Sequence, residues 1–445
     1  TPLLYQCAHA HHSLVIGSFS AASNVTGVVA DVDGITEELH RAGALAFWDY
    51  AAAASYLNVD MNPVRFNASD GSLNPYVYKD AVFISPHKLP GGPGAPGVLV
   101  AKRALFTNDV PAEPGGGTIF FVTGSDQRYL SSRQEREEGG TQDIVGSIRA
   151  GLAFQIKGAV GQGIIAAAEE SLGRRIYGSL TQNPNVAVLG LPAKGSSPGP
   201  RLPIISFLIR GPADATGRSR FLHNSFVCAI LNDIFGVQVR GGCACAGPYA
   251  LHLLGLDAAG TAALETLLLD QAEVMRPGFV RLSLPYFASD AEVTYALAAV
   301  NAVAEHGWRL LPLYRLDAKT GEWRHRARAR SFPERKWLAH LRFPEAAADA
   351  GGGGKHAKAK DNGTTEAPSD DADAGANEHS NANGGGVMLH EHEATGGAMG
   401  SLDVGGGRLV FGSADEVELE ARLVGQLAAG LELLEQCGQQ QLRGG

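Results

Sequence analysis

The chain lacks any apolar run of eighteen residues, so nothing in it reads as a membrane span. It also lacks an excess of basic charge. Lys and Arg number 37 against 46 Asp and Glu, a formal net charge of −9, which argues against a nucleic-acid surface. Cysteines are few and odd in number, five, and two of them stand one residue apart at Cys243 and Cys245. That count and spacing do not make a disulfide framework and point to a reducing compartment. The chain starts at Thr1 without Met, and no signal-peptide pattern is visible there. What remains is a 445-residue chain, 44% apolar, with near-zero mean hydropathy. Such a chain fits a soluble globular protein and exceeds one typical core, so two domains are expected.

The most informative stretch is Ser85-Pro86-His87-Lys88, followed by a glycine- and proline-rich loop. Asp80 to Ile84 before it is a compact apolar run ended by punctuation, the pattern of a short buried strand. A lysine at that exit sits at the edge of a core. Partial desolvation there lowers an amine's pKa and makes it a nucleophile toward carbonyls, as a Schiff-base lysine requires. Leu14 to Phe19 and Ala44 to Trp48 read as two further strands. Between them lies a helix that Asp33 can cap, with Glu37 and Glu38 near its positive end and Gly43 as its stop. Strand, helix, strand predicts a βαβ unit with parallel strands, and such sheets bind ligands at their carboxyl ends. Asn24, Asp49 and Lys88 all fall at carboxyl ends. Together they suit pyridoxal 5'-phosphate: lysine for the imine, aspartate to keep the ring nitrogen protonated, asparagine for the ring hydroxyl. The glycines after Lys88 do not make an NTPase phosphate loop, because in that loop the lysine follows the glycines.

Here the sequence resembles the class V aminotransferase family of fold-type I pyridoxal-phosphate enzymes, the group that includes cysteine desulfurases. The resemblance is carried by Ser23–Gly27, Trp48-Asp49, Ser85–Lys88, Gly115–Thr118, Glu138–Thr141, Arg240–Ala246 and Arg281–Ser283, in that order over residues 14 to 310. It implies an α/β fold with a mostly parallel large-domain sheet and a smaller α+β C-terminal domain. It also implies that an N-terminal part of the large domain, which supplies a phosphate loop and a stacking aromatic ring, is absent from this chain, so targeting cannot be read from its start.

The resemblance further implies roles. Lys88 carries the cofactor and Asp49 pairs with its ring nitrogen. Ser85 and His87 contact its phosphate. Thr118 reaches a phosphate across the interface of a homodimer with shared active sites; otherwise it is a simple turn residue. Arg281, with Arg240 as a second candidate, grips the α-carboxylate of an amino-acid substrate through a guanidinium fork. Cys245 matches the catalytic cysteine of one desulfurase group, which converts L-cysteine to alanine and holds the sulfur as a persulfide for a sulfur acceptor protein. Its thiolate is the nucleophile, and Arg240 is placed to help form it. Two departures stand out. Cys243 occupies a place where that group has histidine, which leaves a persulfide relay, a labile disulfide, a soft-metal pair or a structural thiol open. Ala52 occupies the place of a glutamine that bonds the ring oxygen. Rival readings are a transaminase or another lyase of the same fold, and a catalytically incomplete homologue acting as an interaction protein.

The expected organisation is a large domain over 1–185, a small domain over 186–345, a disordered low-complexity insertion over 346–407 and a final strand and helix over 408–445. Met61 to Tyr78, rich in Asn, Pro, Asp and Gly, predicts an excursion loop, and Asp143 to Leu180 carries helical patterning interrupted by glycines. Asn185 to Gly190, Leu202 to Ile209 and Phe279 to Leu284 predict strands, and Phe221 to Phe235 predicts a helix stopped by Gly236. The insertion contains His356, His379, His390 and His392, read as parts of a solvated tract and not as metal ligands. His9, His11 and His12 are read as exposed terminal residues. Ser413, Glu416, Leu419, Leu423 and Leu427 predict the last helix.

Overall fold

The computed structural model describes residues 14–192, 199–327 and 413–443. The expectations for the early histidines, for the insertion with its four histidines and for the strand expected near residue 408 lie outside them.

The βαβ unit read from the sequence is present. β1 (Ile16–Ser20) and β2 (Leu45–Asp49) pair in parallel, with α1 (Val32–Arg41) between them in the chain. Gly17 allows this helix to close on its strand, since a Cβ there would lie 2.5 Å from Leu39 Cδ2. Leu39 and Trp48 are buried in one core, and the Trp48 indole donates to Thr36 Oγ1 at 2.8 Å. The helix cap corrects the sequence reading. Asp31, not Asp33, caps α1 by accepting from the Gly34 amide. Asp33 lies inside the first turn, where its carboxylate takes Lys79 at 2.7 Å and Arg65 at 2.8 Å.

β3 (Ala81–Ile84) adds to β2 in parallel, and β4 (Val98–Ala101) adds antiparallel, in the order β1-β2-β3-β4. The glycine-rich loop between the last two therefore turns the chain back along its own sheet. Gly92 is needed there, because a Cβ would sit 1.9 Å from the Pro86 carbonyl oxygen. Residues 61 to 78 hold one isolated bridge, Phe66 to Leu73, as an excursion should. A hairpin of β5 (Ile119–Val122) and β6 (Gln127–Tyr129) follows, then the short α2 (Arg133–Glu137). The helical stretch after it is two helices, α3 (Ile144–Val160) and α4 (Gln162–Gln182), broken at Gly161, whose φ of 87° no continuous helix accepts.

The second sheet is antiparallel. β7 (Val186–Val188), β8 (Ile204–Ala213), β9 (Ser219–Phe221), β10 (Arg240–Gly242) and β11 (Phe279–Ser283) form it, in the order β10-β11-β8-β7 with β9 paired to β8. α5 starts at Asn224 and not at Phe221, because His223 caps it and Phe221 belongs to β9; it ends at left-handed Gly236 as expected. α6 (Gly247–Leu253), α7 (Ala258–Leu269) and α8 (Asp290–His306) complete this part, with a hairpin of β12 (Tyr314–Leu316) and β13 (Trp323–His325). α9 (Ser413–Arg443) returns to the same core, where Leu423 and Leu434 are buried with Phe207, Phe226 and Val303. Each fully buried side chain of that size contributes roughly 1.5–3 kcal/mol of transfer free energy. Among the described residues no helix is long and apolar enough to cross a membrane.

The two sheets are stitched by the loop after β1. Three successive carbonyls accept from the second part: Asn24 from Arg281 at 3.0 Å, Val25 from Ser206 Oγ at 2.7 Å, Thr26 from Tyr177 at 3.1 Å and Arg201 at 3.3 Å.

Candidate active site

Asp49 is the last residue of β2, flanked in register by Ser20 and Phe83. Its exposed carboxylate accepts from the Ala51 amide at 2.6 Å, an Asx turn that holds it at the strand's carboxyl end. Lys88 closes a single tight turn, Pro86–Lys88, directly after β3. Proline opens that turn and the Lys88 amide bonds the Ser85 carbonyl at 3.0 Å. Ser55 Oγ grips the Lys88 carbonyl at 2.9 Å. The backbone of Lys88 is thus fixed while the residue as a whole stays partly exposed.

Burial lowers the Lys88 pKa; Asp49 and Cys245 pull it back up, and Arg281 and Arg240 push it down. These influences place five of the predicted residues in one neighbourhood, although they are spread over 233 positions from Asp49 to Arg281. His87 beside them is also pushed down, by burial and then by Lys88. Ser85 is half-buried and its side chain makes no capping bond to the turn it precedes.

The second half of the site comes from the other sheet. Arg240 and Arg281 are direct cross-strand partners on β10 and β11. Arg240 Nη2 donates to Cys245 Sγ at 3.3 Å. Burial and then the neighbouring Arg240 lower the Arg281 pKa. The loop that carries Cys245 is strained. Ala244 and Cys245 have φ of 52° and 60°, a region that side chains seldom occupy and that clusters at functional sites. Cys245 is exposed, whereas Cys243 is half-buried, donates to the Pro277 carbonyl at 3.0 Å and has its thiol pKa raised by burial.

Asn24 joins the halves. Its amide donates to the Ala244 carbonyl at 2.5 Å, and its own carbonyl accepts from Arg281. Thr118 is not brought into this group. It is fully buried, and its hydroxyl donates to the Gly115 carbonyl at 2.6 Å, so its contacts are those of a turn residue. Ala52 lies half-buried in the turn after Asp49.

Three neighbours escaped the sequence reading. Ser55 holds the Lys88 carbonyl. Tyr56, its hydroxyl pKa raised chiefly by burial, feels both Glu169 and Arg281. Ser206, fully buried on β8, anchors Val25. Nothing in the local sequence separates a serine that ends an alanine run from a surface serine.

A lysine and an aspartate at the carboxyl ends of parallel strands, joined by two arginines from the antiparallel sheet, mark an α/β protein with its polar groups gathered where such sheets bind ligands. The chain belongs to the class V aminotransferase family, whose model matches residues 8–295. It is similar to a cysteine desulfurase of Synechococcus elongatus, 30% identical over 246 residues, covering 54% of this chain and 33% of that protein. It is also similar to a cysteine desulfurase of Escherichia coli O139:H28, 29% identical over 226 residues, covering 51% of this chain and 48% of that protein. The chain therefore spans between one third and about half the length of these two curated relatives. Among solved structures, an apo cysteine desulfurase from Thermococcus onnurineus NA1 matches at 24% identity with a TM-score of 0.49, covering 65% of this chain and 60% of that one.

Proposed function

We propose that this chain carries the lysine, aspartate and cysteine of a pyridoxal-phosphate-dependent enzyme that acts on an α-amino acid, with L-cysteine as substrate. The observation that carries this reading is Cys245, exposed on a strained loop, with a guanidinium donor 3.3 Å from its sulfur and Lys88 within its electrostatic reach.

The donor set fits the cofactor: a fixed lysine with a lowered pKa, a carboxylate at the adjacent strand end, and Ser85 and His87 at the turn. Lys88 and Asp49 would hold its ring side, and Ser85 and His87 its phosphate. Pyridoxal phosphate supplies an electron sink that weakens bonds at the substrate's α- and β-carbons. The Arg281 guanidinium is positioned to bind and orient the substrate carboxylate, with Arg240 adding charge. Cys245 Sγ forms a bond to the substrate sulfur as that sulfur leaves carbon. L-cysteine and the Cys245 thiol then become alanine and a Cys245 persulfide, with atoms conserved. The Arg240 guanidinium, which donates to Cys245 Sγ at 3.3 Å, holds that sulfur in place beside the substrate. A homodimer, a sulfur acceptor protein and a domain division at residue 185 belong to the same reading.

The test uses the full 445-residue chain supplied with pyridoxal phosphate, recording a visible spectrum and alanine formation from L-cysteine. Lys88→Ala is expected to lose the protein-bound absorbance. Cys245→Ala is expected to keep it and to form no alanine or persulfide. Undiminished alanine formation in Cys245→Ala overturns the desulfurase reading; keto-acid formation in its place identifies a transaminase. Absence of bound absorbance in the unaltered chain overturns the cofactor reading for this chain.

A further inference from the structure

A cavity of about 700 Å³ lies beside α4, apart from the lysine and cysteine described above. Its walls are largely apolar, with Val29, Leu57, Leu191 and Leu202 joined by the rings of Tyr56 and Tyr177. One wall residue breaks the pattern. Glu169 is 5% exposed, and neither of its carboxylate oxygens has a hydrogen-bond partner among the described residues.

A buried carboxyl without partners costs free energy and calls for an explanation. The charged neighbours do not supply one. Arg174 pairs with Glu170 at 3.4 Å on the outer face of α4. Arg201 spends its donors on the Thr26 and Gly190 carbonyls and stacks over the Tyr177 ring. Tyr56 and Tyr286 lie within electrostatic range of Glu169 but bring no positive charge.

We propose that this cavity binds a small organic ammonium ion, a protonated primary amine on an apolar body, with Glu169 as its counter-ion. The volume falls within the roughly 300–1,000 Å³ range of small-molecule sites, and the mostly apolar walls suit an apolar body. Glu169 lines the cavity with its two oxygens buried in the wall, so binding requires its side chain to turn toward the ligand. Burial alone raises the Glu169 pKa to about 8, so near neutrality the empty site holds a proton that an arriving ammonium displaces to solvent. Tyr56, in the cavity wall, lies within electrostatic range of both Glu169 and Arg281.

The experiment is calorimetric titration of the full chain, without cofactor or cysteine, with 4-phenylbutylammonium and with its neutral isostere 4-phenylbutan-1-ol at pH 7. Success or failure of the desulfurase reading does not affect it. A charge-assisted bond predicts that the ammonium binds about ten- to a hundredfold more tightly than the alcohol. Glu169→Gln is expected to bind both probes at the alcohol's level. In the unaltered protein, titrations in buffers of different ionisation enthalpy are expected to show about one proton released per ammonium bound and none per alcohol. Equal affinity for the two probes, ammonium binding without proton release, or no ammonium binding at millimolar concentration overturns the proposal. The proton count needs no variant and holds even if Glu169→Gln does not fold.

Discussion

Arg240 and Arg281 face each other as direct partners across β10 and β11, two guanidinium groups side by side. Like charges in that position destabilise a sheet. Each is partly compensated, Arg240 by the Cys245 sulfur and Arg281 by the Asn24 carbonyl, but among the described residues no carboxylate bonds either. A cation pair kept at such a cost accords with the proposed binding of an amino-acid carboxylate at this place.

Arg281→Lys preserves the charge and removes the planar fork. The expected outcome is a rise of about ten- to a hundredfold in KM for cysteine, the weight of a charge-assisted bond, in steady-state kinetics. Arg281→Met additionally leaves the Asn24 carbonyl without its donor and is expected to lower stability by about 1–3 kcal/mol in urea unfolding.

The described cysteines should alkylate in a fixed order. Cys245 is exposed, Cys243 is half-buried with a raised thiol pKa, and the Cys228 thiol is pushed up to about 12 by burial. Peptide mass spectrometry after timed iodoacetamide treatment of the folded protein at neutral pH should show Cys245 modified first, Cys243 later and Cys228 last. Cys243 modified ahead of Cys245 would contradict the loop described above.

Gly278→Ala tests whether that loop is held from behind. A Cβ there would stand 2.6 Å from the Gly242 Cα, a backbone atom that cannot yield alone. The substitution is expected to displace the Cys243–Cys245 turn, slowing Cys245 chemistry while leaving the Lys88 spectrum unchanged.

Glu169 also governs a pH dependence of stability. Its folded pKa, about 8, lies above the ordinary value of 4.5. Between those values the folded protein keeps a proton that the unfolded chain has lost, so this residue's contribution falls as pH rises and levels off above the folded value. The slope is about 1.4 kcal/mol per pH unit. Urea unfolding from pH 5 to pH 8 should show that decline in the unaltered chain and not in Glu169→Gln.

Much of this site was readable because its residues sit at strand ends, where apolar runs meet punctuation. Asp49 and Lys88 announce themselves in that way, and both terminate parallel neighbours. The cap of α1 was misread because Asp31 and Asp33 are equally suited by type, and only the chain's path decides which carboxylate reaches the Gly34 amide. The β5–β6 hairpin stayed hidden because Phe120, Phe121 and Val122 are all exposed and show no alternation. Glu169 and Glu170 are adjacent and chemically alike, yet about 100° of helix rotation puts one in the protein and the other on Arg174. Composition carries no trace of that difference.

The three carbonyls of residues 24 to 26, bonded by side chains from β11, β8 and α4, carry a mechanical consequence. Opening the cleft like a pair of jaws at this point would strand all three acceptors at once, since Val25 and Thr26 are fully buried. The floor of the site is a weld and not a hinge. At the open edge of that floor stands the short loop that presents Cys245, exposed, its left-handed backbone at Ala244 and Cys245 tied to the same weld through the Asn24 amide.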